Sequence, residues 1–152
     1  MSRYLRHLEF LPPLLTRIAF GVASFFTGRG KWMNFENTVN FFTQLGIPFP
    51  QVNAAFVSSL ELVGGILLII GLGTRLVSLL LACTMVIALL TADRQSLLDA
   101  LAGGDVTGVT PFVFLLFLLW LAVYGPGALS VDRTLKNATF LGNIHPLVRH
   151  LT

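Results

Sequence analysis

Four long apolar runs decide what this chain can fold into. They cover about residues 11–28 (LPPLLTRIAFGVASFFTG), 52–73, 76–92 and 109–125 (VTPFVFLLFLLWLAVYG). Each falls near the 17–25 residues that a helix needs to cross roughly 30 Å of hydrocarbon. The short GTR segment (73–75) joins the second run to the third, so these two form a tight helical hairpin. Pro12 and Pro13 suit the first turn of the first helix, where backbone N–H groups have no partner anyway, and Pro111 suits the first turn of the fourth. Pro126 and Gly127 stop that last helix. The first run is expected to be a retained span and not a cleaved leader: Arg17 interrupts it, and no A-x-A site follows in SFFTGRGKW. The expectation is an all-α integral membrane protein, a four-transmembrane-helix bundle. Residues 1–136 make a single membrane domain and 137–152 a short cytoplasmic C-terminal tail.

Composition names the solvent. Hydrophobic residues make up 55% of the 152 and charged residues 11%, against roughly 25% charged in soluble proteins. The net charge of +3 does not point to nucleic acid, because the ten Lys and Arg are scattered singly, with no basic face. Four spans place both termini on one side, with Arg3, Arg6, Arg75, Arg133, Lys136 and Arg149. The other side holds Arg29, Lys31 and Arg94 among several acidic residues. Six basic residues against three put both termini in the cytoplasm. The connections 32–51 and 93–108 then lie outside, at the interface, with Trp32 as an anchor.

Several chemistries drop out. Cys83 stands alone, so there is no CxxC pair and no intrachain disulfide; within its apolar run it reads as a small buried hydrophobe. His7, His145 and His150 all lie outside the spans, which leaves no histidine pair for haem and no metal-ligand spacing. TGRGKW lacks the residue order of a phosphate-cradling loop.

Glu61 is the residue that asks for a partner. It lies in SSLELVGGILLIIGLGTRL (58–76), and its helical face carries Ala54, Ser58, Gly65 and Leu68, with Gly64 adjacent. Small residues let membrane helices approach closely, so Glu61 points into a packed interface. In the first span Arg17, Gly21, Ser24, Gly28 and Lys31 recur at spacings of four and three, a second small and polar seam. Two such seams belong against each other. Arg17 is about 9 Å deep and Glu61 about 18 Å from the same side at 1.5 Å per residue. The expectation is an intramembrane Arg17–Glu61 ion pair, since ionisable groups inside a bilayer face a partner or a wet cavity. Lys31 and Arg29 read as interfacial residues at the mouth of the seam. A pair that only fixes helix register is the competing reading. Thr84, Ala88, Thr91 and Gln95 form a mildly polar face read as helix packing. Phe117, Trp120 and Tyr124 form an aromatic stripe read as core or lipid contact, or as the flank of a flat ring.

Taken in order, Arg17 with GRGKW (28–32), LGIPFP (45–50), ELVGGILLIIGLGTRL (61–76) and GPGALSVD (125–132) resemble the DoxX-like membrane proteins over about residues 13–133. The resemblance implies a four-helix protein of the bacterial cytoplasmic (inner) membrane. Some members are subunits of thiosulfate:quinone oxidoreductase and others are tied to oxidative or aromatic-compound stress. Members often carry a histidine or further aromatics near the end of the third span, where this chain has ADRQSLLDALAGGD. Resemblance and polar seam together suggest the membrane subunit of a redox complex. It would hold a quinone or quinol between its helices, with no covalently bound cofactor, and a partner protein or a homo-oligomer would complete it. Arg17, Glu61 and Lys31 are the ligand-binding or proton-relay candidates. Gly21, Ser24, Gly28, Ser58, Gly64 and Gly65 are the helix-packing residues. The alternatives are a non-catalytic anchor or assembly factor and, below it, a small transporter, disfavoured by unbroken spans and the lack of an inverted repeat.

Overall fold

The structure, a computed structural model, describes residues 10–127, 130–132 and 134. It is all-helical. In chain order it contains α1 (Leu11–Met33), α2 (Phe35–Gln44), α3 (Pro50–Ile70), α4 (Thr74–Leu90), α5 (Arg94–Leu101), a 3-10 turn (Val106–Gly108) and α6 (Thr110–Tyr124). The expected terminal tail, 137–152, lies outside the described residues, as do the terminal Arg, Lys and His residues from Arg133 onward and Arg3, Arg6 and His7.

Proline stands in the first turn of α1, α3 and α6, where a missing N–H leaves no helical bond unmade. Gly71 closes α3 in the left-handed conformation (φ 73°), with its N–H on the Leu67 and Leu68 carbonyls. Gly73 (φ 60°) then opens α4. The first N–H groups of α4 are satisfied from far along the chain: Asp132 accepts from Gly73 N–H at 2.8 Å and Thr74 N–H at 3.1 Å. In return, Asp132 N–H donates to the Gly71 carbonyl at 3.1 Å. A carboxylate at a helix N-terminus also meets the positive end of the helix dipole. The same end of the molecule holds Arg17, whose Nη1 donates to the Pro126 carbonyl at 3.0 Å. The start of α1, the α3–α4 hairpin and the segment after α6 are thus tied together.

α1 and α3 run antiparallel and in backbone contact. Gly21 lies against Gly65, and Gly28 against Ser58 and Leu62. A Cβ on Gly21 would stand 2.8 Å from the Gly65 carbonyl oxygen, and one on Gly65 2.6 Å from the Gly21 carbonyl oxygen. The Cα hydrogens at these positions therefore point at the facing carbonyls, a contact worth about 0.5–1 kcal/mol each. Leu68, Val77, Leu81, Ala82 and Leu118 form the core between α3, α4 and α6. Leu89, Ala100 and Val109 form a smaller one where α5 meets the start of α6.

The outward faces are apolar. Leu15, Phe26, Val63, Leu76, Leu90, Leu116 and Val123 are each more than half exposed, far beyond what a water-facing surface carries in one belt. Cys83 belongs to this exposed face and is not the buried hydrophobe expected; its helix turns it away from the α3 and α6 contacts that bury Leu81, Ala82 and Thr84. Among the described residues α3 is the one helix long and apolar enough to cross a membrane by itself, and α4 joined to α5 is a second candidate broken by an 80° bend. α6 is apolar but has 15 residues. α1 has the length, at 23 residues, with Arg17 and its prolines and glycines diluting the apolar run. It extends five residues past the expected end at Gly28, with Gly30 inside the helix and no proline to end it. The two connections read as interfacial contain α2 and α5. In α2, Phe35, Thr38, Val39 and Phe42 recur at helical spacing and turn inward together.

The glycines give a direct test. Gly65→Ala forces a methyl group onto backbone of α1, and overpacking of this kind costs about 1–3 kcal/mol or more. Gly30 has nothing within 4 Å of its missing Cβ, so Gly30→Ala should stabilise α1, by up to about 1 kcal/mol. Thermal unfolding in detergent should move the two variants in opposite directions. A Gly65→Ala protein that melts like wild type would contradict the close α1–α3 contact.

Candidate functional site

The geometry of the two seams decides what Glu61 meets. In an α-helix each Cα–Cβ bond tilts toward the N-terminus. On α3 the Glu61 side chain therefore leans toward Ser58, and on α1 the Lys31 side chain leans toward Gly28. Gly28 and Ser58 face each other across the antiparallel pair, so the two side chains converge. Lys31 Nζ donates to Glu61 Oε1 at 2.7 Å. The Glu61 side chain is 4% exposed and that of Lys31 27%. Lys31 thus lays its stem along the bundle and turns its ammonium inward instead of snorkelling out.

The expected Arg17–Glu61 pair is not formed. Arg17 leans toward its own N-terminus, away from Glu61, and its guanidinium packs beside Gly71 at the far end of α3. There it donates to the Pro126 carbonyl, with Asp132 near enough to interact electrostatically. Arg17 is buried but belongs to the hairpin lock. The depth argument failed because both side chains lean away from the gap they had to bridge. Gly21, Ser24, Gly28, Ser58, Gly64 and Gly65 are all buried. Gly21, Gly28 and Gly65 make the α1–α3 contact, while Gly64 faces Val77 and Leu81 of α4.

Lys31 and Glu61 stand in the wall of a cavity of about 870 Å³ lined by α1, α2, the 45–48 loop, α3, α4 and the start of α6. That volume suits a small organic molecule. Phe41, Phe42, Ile47, Val57, Met85 and Phe114 give the cavity an apolar and aromatic wall. Ser24, Thr27, Thr38, Asn53, Thr84 and Thr91 add polar atoms. Glu61 Oε2 is buried and has no hydrogen-bond partner among the described residues. Such an atom costs free energy unless a donor reaches it. No cluster of three His, Cys, Asp or Glu suited to a metal occurs among the described residues. The arrangement can therefore hold an apolar ring, offer it an ammonium donor at Lys31, and offer it a proton acceptor at Glu61.

Sequence reasoning placed Lys31 at the mouth and missed much of the wall. Thr84, Ala88 and Thr91 line the cavity, and their i, i+4, i+7 spacing had been read as packing. Asn37, Thr38, Phe41 and Phe42 come from α2, whose amphipathic spacing was the available signal. The aromatic stripe does not reach the cavity: Phe117 lies against Phe20 with ring centroids 5.0 Å apart, and Trp120 against Tyr124 at 5.3 Å. Phe114 lines the cavity instead.

Comparison with known proteins follows the same lines. The family model described as DoxX matches residues 13–94, which include α1, α3 and hence both members of the ion pair. The chain is 30% identical over 131 residues to the Bacillus subtilis (strain 168) protein named "Putative oxidoreductase CatD", covering 86% of this chain and 92% of that one. It is 32% identical over 123 residues to "Inner membrane protein YphA" of Escherichia coli (strain K12), covering 79% and 87%. No solved structure matches.

A pair of double-mutant cycles distinguishes the two possible partners of Glu61. Lys31→Ala or Glu61→Ala alone leaves a charge without its partner, at a cost of about 3 kcal/mol, the low end for buried pairs since Lys31 is partly exposed. The double variant should cost less than the sum by at least about 1 kcal/mol. Arg17→Ala combined with Glu61→Ala should be additive within about 0.5 kcal/mol. Chemical unfolding in mixed micelles reads both cycles, and coupling of Glu61 to Arg17 instead of Lys31 would overturn the assignment.

Proposed function

This chain belongs to the DoxX family, and from that premise we propose that it is a membrane protein that binds a quinone or quinol beside the Lys31–Glu61 pair, as the membrane subunit of a redox complex. The observation that carries the reading is the ion pair itself, set in the wall of a large, mostly apolar cavity with one carboxylate oxygen unpartnered. Register alone needs no cavity beside the pair. A ring ligand needs the apolar and aromatic wall, the ammonium and the carboxylate together.

The bilayer reading has its own support. The belt of exposed apolar side chains on α1, α3, α4 and α6 asks for a hydrocarbon solvent, and the E. coli relative carries the name of an inner membrane protein. On this reading α1, α3, α4 and α6 are the four spans. α2 and α5 lie at the outer interface and both termini are in the cytoplasm of a bacterium, by the balance of basic residues. Helix α6, about 22 Å long at 1.5 Å per residue, is accommodated by local thinning of the bilayer.

The residues present fit the ring. Lys31 Nζ keeps N–H groups beyond the one it gives to Glu61 and would bind a ring oxygen. Glu61 Oε2 would hold or move a proton at the same oxygen. Phe42, Phe114 and Met85 would flank the ring faces and exclude water. When bound, the ring supplies a two-electron, two-proton couple. The described residues hold no group that carries electrons, so a partner protein exchanges them, in line with the oxidoreductase name of the B. subtilis relative.

Glu61→Gln separates this reading from a purely anchoring one. The amide keeps the size of the side chain and can still accept from Lys31, but it cannot take up and release a proton. Membranes holding matched amounts of variant and partner should lose about 10²–10⁴ in partner-dependent quinone turnover, as expected for a missing acid–base group. Turnover equal to wild type, with the partner still co-purifying, would replace the catalytic role by anchoring.

A further inference from the structure

We infer that the cavity takes its ligand as a hydrogen-bond donor: an aromatic ring bearing free hydroxyls, the reduced form of the couple, with one hydroxyl donating to Glu61 Oε2. The inference rests on the ring-binding reading above and specifies which form of the ring is held.

It comes from a census of donors and acceptors around the cavity. Thr27 Oγ1 donates to the Ala23 carbonyl at 2.9 Å, Thr84 to Leu81 at 2.7 Å and Thr91 to Ile87 at 2.7 Å. Thr38 donates to the Lys31 and Asn34 carbonyls at 3.2 and 3.1 Å. Each threonine has thus spent its only hydroxyl proton on its own or an adjoining helix and turns lone pairs toward any ligand. Asn53 Nδ2 gives one of its two N–H groups to the Pro48 carbonyl. Glu61, ionised beside Lys31, has acceptors only, and one of its oxygens is occupied by the ammonium. Ser24, Asn37 and Thr110 also line the cavity and can donate, but the charged donor, and the one that stands beside Glu61, is Lys31.

A quinone brings two carbonyl acceptors and no donor to the unpartnered Oε2. One of them can be met by Lys31, but Glu61 Oε2 stays unpaired and faces a second lone pair. A hydroquinone brings two O–H donors. One satisfies Oε2, while the oxygen of the same hydroxyl can accept from Lys31, which stands 2.7 Å from the neighbouring carboxylate oxygen. Hydroxyl and ion pair then close a three-membered set of charge-assisted bonds, the shorter and stronger kind.

The test uses the full chain in lipid nanodiscs under anaerobic conditions, titrated calorimetrically with three probes that share one ring and tail. The probes are a short-chain 1,4-benzohydroquinone, its quinone and its dimethyl ether. The hydroquinone should bind at least about tenfold more tightly than either of the others, as one hydrogen bond to a charged group implies. In Glu61→Gln, whose amide both donates and accepts, that preference should fall to within about threefold. Equal affinity of the wild-type protein for all three probes would overturn donor selection, with water satisfying Oε2 instead, and leave the ring-binding reading standing. Binding of none of the three would remove the ring-binding reading, and this inference with it. Because the wild-type series decides both points, neither depends on the variant folding.

Discussion

A carboxylate halfway along an apolar helix has to be met, and the way Glu61 is met organises the rest of this molecule. Its counter-charge is supplied by Lys31, about four helical turns of α1 beyond Arg17. For the ammonium to reach it, α1 must lie almost on the backbone of α3. Gly21, Gly28 and Gly65 allow that approach, with carbonyl oxygens standing where side chains would begin. Neither feature works alone. Without the glycines the helices would stand further apart and leave the charge unpaired; without the pair, the glycine contact would bring a lone carboxylate into the bundle.

The bundle separates its two kinds of polar work by end. At one end Arg17, Asp132, Pro126 and the Gly71–Thr74 turn lock the hairpin to the first helix through backbone groups. All the backbone donors and acceptors named there are used, and the result is a strut. At the other end Lys31 and Glu61 leave donor and acceptor capacity unspent, beside a cavity that α2 and the 45–48 loop cover. Unspent hydrogen-bonding capacity next to an apolar wall is what ligand binding requires. The strut keeps the hairpin fixed so that Thr84 and Met85 of α4, and Thr91 at its end, stay in the same cavity wall as Glu61.

Much of this was legible from residue spacing, and the parts that were not have physical reasons. The period of Arg17, Gly21, Ser24 and Gly28 is the buried face of α1, and that of Ala54, Ser58, Glu61, Gly65 and Leu68 the buried face of α3. Spacing identifies a face but does not tell which charged residue of one face meets which of the other. That depends on the antiparallel offset and on the N-terminal lean of both side chains, which favours Lys31 and disfavours Arg17. Read as an interfacial anchor, Lys31 was judged by its nearness to a helix end that lies further on, at Met33. α2 was overlooked because its ten residues were weighed as a polar connection. Its inward residues Phe35, Thr38, Val39 and Phe42 nevertheless carry the helical period, and Thr38 and Phe42 of these line the cavity. Asp132 could not have been assigned to the start of α4 from sequence, since nothing local marks a cap supplied from 58 residues away.

The Lys31–Glu61 contact is open to direct measurement because the chain has only two lysines and three glutamates. Full-length protein in lipid, labelled with ¹⁵N at the lysine side-chain nitrogen and ¹³C at the glutamate carboxyl, can be examined by solid-state dipolar dephasing. A nitrogen 2.7 Å from Oε1 places the two labelled atoms within about 4 Å. The account predicts strong dephasing of one glutamate signal that disappears in Lys31→Met. Dephasing of that signal by ¹⁵N-labelled arginine side chains, with none from lysine, would show that Glu61 meets a guanidinium, and would contradict the pairing on which the cavity, its chemistry and its proposed ligand depend.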